Sequence, residues 1–342
     1  GATGTWRVSR NTAVGELTVQ LAIGAGSTAS SADWTQSGAT FASLAPGSAG
    51  TLVIPDGSTF VDVTLTATDD IHAEANETVI LNVTPDAAYT VGGASATVTI
   101  AANDFVVVNT NNSGEGSLRQ AVANANSIAE AQTITFGGSV FTDSTPDTIT
   151  LTTGSLNLAS DVSINGTGAK ILSISGNNID SIFGVTSGSV TVSGIRFTRG
   201  DSHSGAAINS IGSLALTVIG CDFDSNTAFV NGGAILHLEG SLLVIDSTFR
   251  NNVAQGGNGG AIYISDESAV SVKIWNSTFS GNSAVSGGAV FSNYADVTFA
   301  NCTITGNTAT SGSGILARGN SSAPLTTLSN TIVANNAGGA DL

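Results

Sequence analysis

One motif recurs through the last two-thirds of this 342-residue chain: an apolar residue, two variable residues, an asparagine, and then a turn rich in glycine and alanine. It reads CDFDSNTAFVNGGAI from Cys221, STFRNNVAQGGNGGAI from Ser247, STFSGNSAVSGGAV from Ser277 and CTITGNTATSGSGI from Cys302, with a partial copy, NTIVANNAGG, from Asn330. With Asn226, Asn252, Asn282, Asn307 and Asn335 as markers, the steps are roughly 26, 30, 25 and 28 residues. Units of this size cannot bury an apolar face alone and bury it by stacking, so the period predicts a solenoid. Each unit holds two or three short β-prone runs, such as AILHLEG, SLLVIDS and TFRN, which predicts coils of a parallel β-helix. Register then stacks like on like. Phe197, Phe223, Phe249, Phe279, Ile304 and Ile332 are expected as an internal apolar ladder, and the five marker asparagines as an amide ladder at one turn.

Ahead of the repeats, GSLRQAVANAN is the one convincing helical stretch. Ser117 is placed to cap it, and Leu118, Ala121, Val122 and Ala125 share a face at i, i+3, i+4, i+7 spacing. A helix over about 117–126 is expected to plug the open end of the first coil, because terminal repeats need a cap. Cys221 and Cys302 occupy equivalent repeat positions three units apart, roughly 14 Å by strand spacing, which is too far for a disulfide. They are expected as buried free thiols.

Residues 1–104 read differently. Short alternating runs (TWRVSR, ELTVQLAI, TLVIP, FVDVTLTAT, ETVILNVT, ATVTIAA) separated by turn signals predict an antiparallel β-sandwich, so the chain divides at about residue 104, with the solenoid over 105–342. Carboxylates crowd this first part: Asp33, then Asp69, Asp70, Glu74 and Glu77 in DDIHAEANE, then Asp104. Hard divalent cations take six to eight oxygens, and like charges this dense repel unless something neutralises them. These elements, Asp33-Trp34, Asp69-Asp70 with Glu74 and Glu77, and Asn103-Asp104, resemble the Calx-beta domain. The resemblance implies a Ca2+ cluster formed by Asp33, Asp69, Asp70, Glu74, Glu77 and Asp104 at one end of the sandwich.

Lys and Arg number 9 against 25 Asp and Glu, a formal charge of −16. That balance argues against nucleic acid, which is held through basic residues. No apolar run approaches the length of a membrane span. Repeat sequence runs to Leu342, and both ends read as cuts in a longer polypeptide.

The F-x-x-N-x-A and G-G-A-I elements resemble the repeats of polymorphic outer-membrane adhesins. NTNNSGEGSLRQAVANAN and GSVTVSGIRFTRG resemble a broader group of bacterial secreted right-handed β-helix proteins. This implies an all-β chain, sandwich plus right-handed parallel β-helix, from a secreted or cell-surface protein. It would act as a calcium-stabilised stalk or adhesin with a glycan or surface receptor as partner; separately, an open-ended solenoid exposes unpaired backbone at Leu342, which predicts end-to-end self-association into an extracellular fibre component. The alternative is a polysaccharide lyase or hydrolase working in a β-helix groove, which needs a base and carboxylates on one face. The best local cluster for it is Arg196, Arg199, Asp201 and His203 with Asp222 and Asp224. His72 and His237 read as incidental surface residues.

Overall fold

The computed structural model describes residues 3–68, 76–101, 105–265, 271–319 and 326–342. The chain forms two compact units, Gly1–Asp104 and Phe105–Leu342.

The first unit is a pair of antiparallel sheets. One is three-stranded, with Phe60–Ala67 between Thr3–Ser9 and Trp34–Ser37. The other is five-stranded, in the order Thr40–Phe41, Ala49–Ile54, Leu17–Ile23, Glu77–Val83, Ser95–Ile100. Period-two alternation puts Trp6, Val19, Leu21, Ile23, Leu52, Ile54, Val63, Leu65 and Val79 in one core, with Trp6 and Trp34 edge-to-face at 6.2 Å.

The second unit is a parallel β-helix of eight coils, one for each strand of its eight-stranded sheet. Three long parallel sheets wall it. The first has nine strands and runs from Val106–Val107 to Thr326–Ser329. The second, of eight, runs from Asp147–Thr150 to Ile332–Ala334, and the third, of seven, from Leu156–Leu158 to Ile315–Arg318. A two-residue strand pair, such as Asp201–Ser202 with Thr227–Ala228, adds a short fourth side from the third coil onward.

Residues stack by kind, as the repeat requires. Phe197, Phe223, Phe249 and Phe279 pair in register and are fully buried, their rings parallel at 4.9, 4.6 and 4.7 Å. Beside them the amides close a hydrogen-bond column. Asn252 Oδ1 accepts from Asn226 N at 3.1 Å and from Asn226 Nδ2 at 3.0 Å, while Asn252 Nδ2 donates to Phe223 O at 2.9 Å. The same three bonds repeat at Asn282 and Asn307. Buried amides with every partner supplied stabilise a register, since each unsatisfied group would cost about 1–3 kcal/mol.

The last coil departs from the sequence expectation by one residue. Ile304 pairs with Val333, and Asn307 bonds to Asn336, so Val333 and Asn336 continue the ladders; Ile332 is outward and 62 % exposed. In TIVANN both registers keep the apolar-x-x-Asn spacing. What decides is the residue before the ladder asparagine, which takes a left-handed conformation in each of the five coils that carry one: Ser225, Asn251, Gly281, Gly306 and Asn335.

The helix Leu118–Ser127 starts at Ser117, whose hydroxyl accepts from Gln120 N at 3.2 Å. It packs Leu118, Ala121, Val122 and Ala125 against the first strands of the first and third sheets, as a plug of the first coil should. A second, four-residue helix, Gly138–Phe141, was not expected; it puts Phe141 edge-to-face on Phe136. The paired glycines of the turns are forced by stacking. Gly259 has φ of +69°, and a Cβ on Gly260 would run into the carbonyl of Gly288 in the next coil.

Both cysteines are free and buried, in a column continued by Ser247, Ser277 and Thr331; Cys221 N donates to Ser247 Oγ at 3.2 Å and Cys302 N to Thr331 Oγ1 at 3.3 Å. Burial pushes the Cys221 thiol up to about 12. His237 contradicts the surface reading. It ends a strand whose inward positions are Ile235 and His237, it is fully buried, and its Nε2 lies 2.9 Å from Gly240 O. His72 lies outside the described residues.

Candidate functional site

Two places were marked by sequence. In the β-helix, side chains on either side of an inward phenylalanine point outward, so each short strand of the second sheet offers two outer positions. Stacking the strands around Phe197, Phe223 and Phe249 brings Arg196 beside Asp222, and Asp224 beside Arg250. The four side chains form a closed ion-pair network. Arg196 contacts Asp224 through Nη2 and reaches Asp222 at 3.7 Å; Arg250 contacts Asp222 at 2.8 Å and Asp224 at 3.5 Å. Ser225 Oγ and Asn251 Nδ2 add donors to Asp224.

The electrostatics follow from that geometry. Burial drives the Asp224 carboxyl upward, but Arg196, Arg250, Ser225 and Asn251 together outweigh it and hold the group below the ordinary carboxylate range. The Arg250 guanidinium is held up by its bond to Asp222. A general acid needs a carboxyl that is protonated near the working pH, and a general base needs a free lone pair facing substrate. Asp224 is kept anionic, and its oxygens are engaged by two arginines. As arranged, the quartet is an outer-face staple across three coils.

The rest of the sequence-marked cluster is elsewhere. Arg199 occupies a left-handed turn at φ of +54°, Asp201 pairs with Thr227 in the short fourth sheet, and the His203 ring stands 6.3 Å from that of Phe229. Arg250 completes the network although the local cluster left it out. Aligning the repeats on the inward phenylalanine would have found it, since Asp224 and Arg250 each follow that residue directly.

For the acidic cluster of the sandwich, Asp69, Asp70, Glu74 and Asp104 lie outside the described residues. Asp33 precedes the strand Trp34–Ser37, where its carboxylate accepts the N–H of Ser30 and its carbonyl accepts from Thr68 N at 2.7 Å. Glu77 opens the strand Glu77–Val83 and pairs with Ile100. The strand ends that flank the remaining positions are Ala67, paired with Trp34, and Glu77, paired with Ile100. Among the described residues no group of three His, Cys, Asp or Glu is close enough to hold a metal. No helix among them is long and apolar enough to cross a membrane.

Residues 204–342 match the family model described as a right handed beta helix region. No curated protein matches the chain. Among solved structures, the catalytic unit of a thermostable GH87 α-1,3-glucanase from Streptomyces thermodiastaticus aligns over 97 % of this chain and 89 % of its own at 13 % identity and a TM-score of 0.20. A superposition that poor carries nothing about fold or activity. With the sheet topology, the family match makes this part of the second unit a right-handed parallel β-helix.

Proposed function

We propose that this chain is a non-catalytic segment of a secreted or cell-surface protein, with the β-helix serving as a rigid stalk or adhesive surface. The observation that carries the reading is the Arg196–Asp222–Asp224–Arg250 quartet. The best acid–base constellation of the β-helix pairs its charges with one another, so it ties coils together and holds Asp224 as an anion engaged by two arginines. Continuous phenylalanine and asparagine ladders below it favour a stiff rod.

The resemblance to polymorphic outer-membrane adhesins supplies the adhesive part of this reading. The Calx-beta resemblance supplies Ca2+ as a structural cofactor of the sandwich, held by Asp33, Asp69, Asp70, Glu74, Glu77 and Asp104. Trp34, next to Asp33, pairs with Ala67, and Glu77 pairs with Ile100, so each described carboxylate stands at a strand end whose partner is close in sequence to others of the set.

The test is incubation with a panel of neutral and acidic polysaccharides, read as new reducing ends or unsaturated products. No turnover above a boiled control is expected, for wild type or for Asp222→Asn/Asp224→Asn. Multiple turnovers by the wild type, abolished in the double variant, would replace this reading with a lyase or hydrolase.

A further inference from the structure

The first sheet of the β-helix carries an outer feature that neither the ladders nor the ion-pair quartet explains. Of the three tryptophans, Trp6 and Trp34 are buried in the sandwich, whereas Trp275 is 36 % exposed on the outer face of the strand Ser271–Trp275. A single part-exposed apolar side chain is ordinary on a protein surface, so the weight falls on what stands around this indole.

The surroundings of Trp275 are specific. In its own column the ring has Ile245 of the preceding coil on one side, and on the other the next coil offers only Ala300, which leaves a shelf on that side alone. Two residues back along the strand, Lys273 places its ammonium 5.7 Å from the ring, and Thr298 follows Lys273 on the next coil. At the corner just after the strand, Asn276, Asn301 and Asn330 project exposed carboxamides in an outer ladder, with Asn301 Nδ2 on Asn276 Oδ1 at 3.0 Å and Asn330 Nδ2 on Asn301 Oδ1 at 2.7 Å. All three are left-handed, at φ of +51°, +55° and +47°. The same corner in the three preceding coils is Gly194, Gly220 and Asp246, so the amides begin on the coil that carries Trp275.

We infer that this strip, Lys273, Trp275, Asn276, Thr298, Ala300 and Asn301, is a binding site for a neutral linear polysaccharide lying along the β-helix axis. This inference rests on the adhesive reading above and gives it a ligand class. Three features select that class. An indole face attracts the polarised C–H edge of a sugar ring, which needs a flat shelf such as the one over Ala300. Carboxamides both donate and accept, as vicinal hydroxyls do, and here they repeat once per coil. A surface repeating at about 4.8 Å suits a polymer with a repeat of its own. The protein's charge of −16 penalises polyanions, and Lys273 is too isolated to offset it.

The experiment is affinity electrophoresis of the whole chain through gels containing β-1,4-glucan, mixed-linkage β-glucan, starch or alginate, with product release assayed in parallel. Retardation by at least one neutral polysaccharide is expected, weakened at least tenfold in Trp275→Ala, kept in Trp275→Phe, and absent in alginate. Circular dichroism melts of the variants, expected to match wild type because the side chain is external, exclude misfolding as the cause. No retardation in any neutral gel, retardation unchanged in Trp275→Ala, or retardation by alginate alone would each overturn the site and leave the stalk intact. Product release with retardation would instead overturn the non-catalytic reading while the site stands.

Discussion

At the scale of single residues, buried polar side chains hold the register. Asn252→Ala removes the acceptor of Asn226 N and Nδ2 and the donor to Phe223 O, all buried. The expected loss is roughly 3–6 kcal/mol, read from urea unfolding. In the last coil, Val333→Ser is expected to destabilise and Ile332→Ser to leave stability within about 0.5 kcal/mol, because only Val333 faces inward. That one-residue shift was beyond the sequence: TIVANN satisfies the spacing twice, and only the left-handed turn at Asn335 separates the two registers. Cys221 gives an alkaline signature. Burial raises its pKa from the ordinary thiol range to about 12, so from about pH 9 to about 12 the unfolded chain has lost a proton that the folded chain keeps. Stability therefore falls as pH rises through that window, by about 1.4 kcal/mol per pH unit for one group. Cys221→Ser, which installs the hydroxyl used at Ser247 and Ser277, is expected to flatten the slope in urea unfolding at pH 9 to 11.

Among elements, the second sheet carries the central packing and the ion-pair quartet on opposite faces. Phe249→Ala opens the middle of the ring stack and is expected to cost about 3–5 kcal/mol in urea unfolding. Asp224→Asn acts on the outer face, where the arginine side chains are 37 and 40 % exposed, so solvent screening limits the loss to about 1 kcal/mol. Because the carboxyl is held below its ordinary range, its contribution is present above that range and disappears as pH falls through the folded-state value. The gap between wild type and Asp224→Asn, measured by urea unfolding at pH 7 and pH 3, is therefore expected to shrink at the lower pH. The coil repeat, the inward phenylalanines and the capping helix were legible because each follows a short-range period or cap. Of the quartet, Arg196, Asp222 and Asp224 were legible and Arg250 was not. The four come from three coils, and proximity along the chain favoured Arg199, Asp201 and His203 over Arg250, the true partner one repeat away.

In the whole molecule, a sandwich proposed to bind calcium is followed by a rod proposed to be rigid. Titration of the chelator-treated chain by calorimetry is expected to show calcium uptake that Asp69→Asn/Asp70→Asn abolishes; heat in both proteins alike would move the ion away from those carboxylates. His237 shows the limit of sequence reading at this scale, since an inward strand position and a surface one differ only in where the turn before it ends. Rigidity is the central claim, because stacked repeats otherwise open one unit at a time. Native-state hydrogen exchange measures it most directly. If the ladders lock coil to coil, the backbone amides of Asn226, Asn252, Asn282 and Asn307 exchange only through one common opening, with a single denaturant dependence. Separate openings of individual coils, each with its own smaller dependence, would contradict the rigid rod.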